Sequence, residues 1–270
     1  MVITKLKRKI WDKLPCCARN LINRFRTPVI PIPFDTICVS DLFIIPNPSK
    51  FTTYFELLNI NSIVNPEDKP LAYQVLFKAF DHNGICRESK YLVNNSNPRT
   101  TISINKLIHN IKLRTGTFVF FHLLPPTSKS EIDGVFCERG YVGISKKNIH
   151  TKSYVHGNYD CIAHLRNGGM KCLIQNSLRI KYNYNIQFTF RPNLSNFLFI
   201  VNPTNSTVKF LLYSTTSGGN KEYYQIPKLG HIEIELKNKH DENYIIKSNC
   251  KMLRPIILLD NGESVDILHS

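Results

Sequence analysis

The sequence predicts an all-β protein: two tandem antiparallel β-sandwich domains from an internal repeat, preceded by a basic amphipathic N-terminal helix. Three observations predict it. The run Phe197-Leu198-Phe199-Ile200-Val201-Asn202-Pro203 repeats the order of Leu42-Phe43-Ile44-Ile45-Pro46-Asn47-Pro48, an apolar stretch closed by Asn-Pro. Strand-like runs at close spacing with turn residues between them argue for antiparallel sheets over alternating strands and helices. The first 26 residues instead place apolar side chains at steps of three and four among cations, the period of a helix.

An apolar run closed by Asn-Pro reads as a buried strand that stops abruptly. Proline has no N–H for a ladder and pushes its predecessor toward extended geometry, and asparagine readily starts a turn. The order of elements after each run is similar. After the first come Val75-Leu76-Phe77, the turn Asp81-His82-Asn83-Gly84, a strand near Tyr91-Leu92-Val93, the alternating Thr101-Ile102-Ser103-Ile104 and the apolar Phe118-Val119-Phe120-Phe121. After the second come Val208–Leu212, the turn Ser217-Gly218-Gly219-Asn220, a strand near Tyr223-Tyr224, the alternating His231–Glu235 and Ile256–Leu259. The first copy is expected to differ by an insertion near 51–72 and a longer tail after Leu124, where loops tolerate extra length.

Four segments are expected along the chain. Residues 1–33 hold the amphipathic helix and the stiff connector Thr27-Pro28-Val29-Ile30-Pro31-Ile32-Pro33, in which three prolines prevent helix. Residues 34–150 form the first sandwich, with a short helix over Leu107–Leu113. Residues 151–183 connect, and 184–270 form the second sandwich. Near its end Asn261-Gly262 signals a hairpin with a two-residue turn.

The net charge is +15, and residues 1–26 hold eight Lys or Arg against Asp12. That balance favours an anionic partner: a membrane surface, a nucleic acid or an acidic polymer. In the membrane reading, the apolar stripe of the helix enters the lipid boundary while Lys5, Lys7, Arg8, Lys9, Trp11 and Lys13 meet the head groups. In the alternatives the helix packs on its own domain with a solvated basic face, or meets nucleic acid. No apolar run reaches the roughly 20 residues of a spanning helix, and no apolar stretch of secretory type follows the basic start. A cytoplasmic protein, peripheral to the membrane in the first reading, is expected. Eight cysteines without Cys-x-x-Cys spacing read as mostly reduced and buried, with no metal site.

Candidate ligand-binding residues are Tyr154, His156, Asn158, Asp160 and His269. Tyr154 and the neighbouring Tyr159 offer stacking faces, Asn158 a bidentate amide and Asp160 a carboxylate, a mixture suited to sugars. Gly157 beside His156 permits close backbone approach. His156 and His269 close the two copies, so they are expected at equivalent places, where a histidine serves a sugar hydroxyl, a proton transfer or simply a backbone carbonyl. His164-Leu165-Arg166-Asn167-Gly168-Gly169 has the composition of a phosphate-binding turn and equally of an ordinary glycine turn. Glu233 and Glu235 alternate with Ile232 and Ile234 and read as the solvent side of a strand. There is no Gly-x-Ser-x-Gly elbow, no His-Glu-x-x-His and no Gly-x-Gly-x-x-Gly, and no cofactor is expected.

The second copy, with Phe-Ile-Val-Asn-Pro at 199–203, Ile226-Pro227, His231-Ile232-Glu233-Ile234, Tyr244, Ser248-Asn249 and Arg254-Pro255-Ile256-Ile257, resembles the sensory-rhodopsin-transducer type of β-sandwich. The likeness covers about 80 residues of the second half and, more loosely, the first. It implies a sandwich that binds a sugar or small molecule, and it transfers no functional residue. The function expected from the sequence is a non-catalytic binding protein for a carbohydrate or other small polar ligand, accessory to surface-glycan synthesis. An enzyme of sugar or polysaccharide metabolism with His156 and Asp160 between the copies is the second reading, and nucleic-acid binding the third.

Overall fold

The computed structural model describes residues 30–59, 72–95, 97–123, 136–138, 140–157, 161–192, 194–215, 221–237, 240–251 and 253–270. The expected basic helix, with Lys5, Lys7, Arg8, Lys9, Trp11 and Lys13, lies outside the described residues, as do Asn158 and Asp160. Among the described residues strands take 56% and helix 2%, which makes the fold all-β.

The first half contains β1 (Thr36–Ser40), β2 (Phe43–Ile45), β3 (Phe51–Leu58), β4 (Tyr73–Phe80), β5 (Cys86–Asn94), β6 (Arg99–Ser103), β7 (Gly116–Leu123), β8 (Phe136–Glu138), β9 (Tyr141–Lys146), β10 (Ser153–His156), β11 (Ile162–Leu165) and β12 (Met170–Cys172). The second contains β13 (Tyr182–Asn185), β14 (Ser195–Val201), β15 (Val208–Ser214), β16 (Glu222–Ile226), β17 (His231–Leu236), β18 (Tyr244–Ser248), β19 (Ile256–Asp260) and β20 (Val265–His269). The expected helix over 107–113 is instead a single turn, α1 (Ile104–Leu107).

These strands form five four-stranded sheets, in the orders β12-β11-β1-β8, β2-β7-β4-β5, β10-β9-β3-β6, β13-β18-β15-β16 and β17-β14-β19-β20. The ladders are antiparallel except between β1 and β8. The five small sheets are arranged as a five-bladed propeller, which corrects the expected pair of sandwiches, since two plain sandwiches would supply four sheets. The strand order is not that of blades made from consecutive hairpins, however: β3 lies between β6 and β9, and β14 between β17 and β19. Two of the first-half sheets face each other. Phe43 of β2 meets Phe55 of β3 edge-on at 4.8 Å, and Phe55 stacks on Phe120 of β7 at 4.5 Å.

The apolar run Phe118–Phe121 is buried on both sides, as unbroken apolarity predicts. Phe118 and Phe120 point at Phe77 and Phe55, while Phe121 stacks on His164 at 5.0 Å. β1 continues into β2 across Asp41-Leu42, and the Phe120 N–H donates to Ser40 Oγ at 3.1 Å at that junction.

Both Asn-Pro runs end their strands in the same turn. Asn47 Oδ1 accepts from the N–H and hydroxyl of Ser49 at 3.0 and 2.8 Å, and Asn202 Oδ1 from those of Thr204 at 2.8 and 2.7 Å. Beyond these turns the two halves correspond differently from the expected matching. The strand after the first turn is β3, flanked by β6 and β9 as β15 is flanked by β16 and β18. Residues 51–58 are therefore not an insertion; the β4–β5 hairpin has no counterpart in the second half, and neither does β8. Residues 153–172, expected to connect, supply β10, β11 and β12, which pair with β9, β1 and β11. The β19–β20 hairpin forms as expected, but its loop has four residues, 261–264, closed by Asn261 Oδ1 on the N–H groups of Glu263 and Ser264.

Candidate ligand-binding face

Sheet β10-β9-β3-β6 buries Phe51, Phe55, Leu57, Val142 and Ile144 on one side. Strand alternation sends Tyr54 and Glu56 of β3, Tyr141 of β9, Tyr154 and His156 of β10 and Arg99 and Thr101 of β6 to the other. The ladder register aligns them in rows: Glu56 stands opposite Tyr141 and Thr101, and Tyr141 opposite His156. The next row places Gly143 between Tyr54 and Tyr154.

Gly143 explains how Tyr154 lies. A Cβ at this position would come 2.5 Å from Tyr154 Cε1, so only glycine lets the ring cross β9. The Tyr154 hydroxyl then donates to Glu56 Oε1 at 3.0 Å. Arg99 Nε donates to Glu56 Oε2 at 2.7 Å and Thr101 Oγ1 lies 3.0 Å from the same oxygen. Burial alone would raise the Glu56 carboxyl, but these donors and the Arg99 charge hold it below its ordinary value. Burial and the bond to Glu56 together raise the Tyr154 phenol. A carboxylate so fully engaged orients its neighbours and is poorly suited to act as a base.

Around this carboxylate Leu58, Arg99, Tyr141 and Tyr154 outline a shallow depression of about 260 Å³. Tyr141 is 48% and Tyr154 38% exposed, which leaves ring surface for a ligand. Lys152 Nζ sits 4.1 Å from the centre of the Tyr54 ring.

His156 borders the face, edge-on to Tyr141 at 6.4 Å. The two closing histidines, expected at equivalent places, instead stand on non-equivalent sheets, His156 on β10 and His269 on β20, and face each other with ring centres 4.4 Å apart. His269 Nε2–H donates to the His156 carbonyl at 2.7 Å, and its buried Nδ1 has no partner among the described residues. Burial, Arg254 and His156 push His269 down to about 4, so it is neutral near pH 7 and serves a backbone carbonyl. His156 Nδ1–H donates to the Gly157 carbonyl at 2.7 Å, leaving Nε2 at the surface. Gly157 itself packs on the Asp41 carboxylate, where a Cβ has no room.

The other candidates are structural. Gly168 N–H donates to Leu165 O at 2.9 Å and Gly169 N–H to Asn167 Oδ1 at 2.8 Å, so the basic turn after β11 spends these N–H groups on itself. Ile234 is buried while Glu235 is exposed and 3.9 Å from Lys237. Among the described residues no three His, Cys, Asp or Glu gather as a metal site, and Cys38, Cys86, Cys161, Cys172 and Cys250 are free thiols, all buried but Cys86. Sequence reasoning finds Tyr154 and His156 but misses Tyr54, Glu56, Arg99 and Tyr141. The signal for the first two of these is the alternation in 51–58, which the expected insertion hides.

A comparison with protein-family models finds no match to this chain, and one with curated proteins finds none either.

Proposed function

We propose that the protein is a non-catalytic carbohydrate-binding protein, accessory to surface-glycan synthesis, whose ligand lies on the tyrosine face of β10-β9-β3-β6. The arrangement that carries this reading is Tyr154 crossing Gly143 to Glu56, with Arg99 and exposed Tyr141 around one depression. Sugars present apolar C–H faces and fixed hydroxyls, and such a site offers flat rings for the first and a guanidinium for the second. Because Arg99 binds Glu56 through Nε, its outer nitrogens are directed away from that bond.

We further infer that the two halves come from one duplicated unit. The shared Asn-Pro turn supports this, as does the shared neighbour pattern around β3 and β15. The tyrosine face then belongs to the first copy of a sheet that the second copy also has. A glycan array with the wild type and Tyr141→Ala tests the function. Selective binding lost in the variant is expected; an identical profile, or no selective binding by either, would remove this face as the site.

A further inference from the structure

The sheet in the second half that matches the tyrosine face is β13-β18-β15-β16. Val208, Phe210, Leu212, Ile226 and Ile246 are buried on its inner side. Alternation sends Lys209, Leu211 and Tyr213 of β15, Tyr223 and Gln225 of β16 and Lys247 of β18 outward. Leu211 stands opposite both Tyr223 and Lys247, so the two tyrosines are diagonal neighbours and a lysine flanks them. Lys221 Nζ lies 5.7 Å from the centre of the Tyr213 ring, and Lys181 immediately precedes β13 at the sheet's far side. Tyr223 is 49% exposed.

Charge distinguishes this face from its counterpart. In the first half Glu56 neutralises Arg99. Here, among the described residues, no carboxylate stands on the outward side of the four strands; Glu222 alternates to the other side, where it is exposed at the sheet edge and accepts from Tyr224. Aromatic rings among lysines match what single strands need, stacking for bases and cations for phosphates, and the outward amides of Asn183, Asn185 and Gln225 add hydrogen-bonding groups beside them. We propose that this face binds single-stranded nucleic acid.

Fluorescence anisotropy of the full chain with a labelled 15-nucleotide oligo-dT tests this. Four lysines neutralising phosphates give an affinity loss of about 50-fold between 50 and 200 mM salt. The basic leader would add to that slope, so the decisive variant leaves charge unchanged: Tyr213→Leu with Tyr223→Leu. It should weaken binding at least ~10-fold through lost stacking, and duplex of equal length should bind less tightly than single strand. Unchanged affinity in the variant, equal or tighter duplex binding, or tighter binding of a sulfated polysaccharide overturns the proposal. Should the variant fail to fold, a 5-bromouracil oligonucleotide photocross-linked to the wild type decides. Adducts at Tyr213 or Tyr223 support the face, and adducts confined to residues 1–26 refute it. Neither result depends on glycan binding in the first half.

Discussion

Gly143 and Tyr154 show how one absent side chain sets the chemistry of a surface. Gly143→Ala would put a methyl group into the Tyr154 ring, move the hydroxyl off Glu56 and leave that carboxylate one donor short. The expected cost is about 1–3 kcal/mol, read by denaturant unfolding, together with loss of glycan binding. Tyr154→Phe keeps the ring and removes only the donor, so binding by stacking should survive. If Gly143→Ala binds as the wild type does, the crossed ring is not part of the site. Of these residues Tyr154 was legible in the sequence, as an aromatic next to a turn. Glu56 and Arg99 were not, because they are 43 positions apart and meet only through the β3–β6 register.

Among the elements, the β4–β5 hairpin separates the two halves most clearly in architecture. It extends the β2–β7 sheet and sends its tip onto the second half. Asp81 Oδ1 accepts from the N–H groups of Asn83 and Ile85 at 2.9 and 3.0 Å, and Arg87 Nη2 closes on Asp81 Oδ2 at 2.6 Å. Gly84 turns the tip with φ +74°, and a Cβ there would run into the Lys228 carbonyl. Gly84→Ala therefore meets a strained backbone and a blocked contact at once. A loss of about 2 kcal/mol or more is expected in thermal or denaturant unfolding, and a change within about 0.5 kcal/mol, the range of an ordinary surface substitution, would mean that the tip does not bear on the second half. The turn itself was readable as Asp-His-Asn-Gly. Its docking was not, since nothing local marks Lys228 as the partner, and the match of Val75–Phe77 to Val208–Leu212 concealed that the hairpin is extra.

At the scale of the whole molecule, buried apolar residues of both halves form one continuous core, and two seams join the halves. One carries Lys146 on Asp260 at 3.0 Å, Ser153 on Asp266 at 2.5 Å and the His156–His269 pair. The other carries Thr117 Oγ1 donating to Leu229 O at 3.1 Å and His231 Nε2 at 2.8 Å from Thr115 Oγ1. Burial and nearby His82 push His231 down to about 4, and burial first, with Arg254 and His156, does the same to His269. For a base with a depressed folded value, the unfolded chain binds the extra proton. Stability is thus complete above the unfolded value near 6.5 and declines as pH falls toward 4. For His231 that decline is roughly 3 kcal/mol, or about 5–10 °C in Tm. His231→Gln should flatten the slope of Tm across this window, and a wild-type Tm constant over the same range would contradict it. The all-β class and the strand-ending Asn-Pro turns were visible in the chain, because they rest on periodicity and proline chemistry; the contact of His156 with His269 was not, since it joins strands of two different sheets. The count of five sheets was not visible, since it depends on where β1 breaks from β2 and on which strands pair over long separations.

In the proposed reading a sugar lies on the outward face of β10-β9-β3-β6. A crystal structure of the protein with the best glycan from the array tests it most directly. The expected result is a sugar ring against Tyr141 or Tyr154 with a hydroxyl at Arg99. A sugar bound instead at the His156–His269 seam, away from Tyr141 and Arg99, would contradict it.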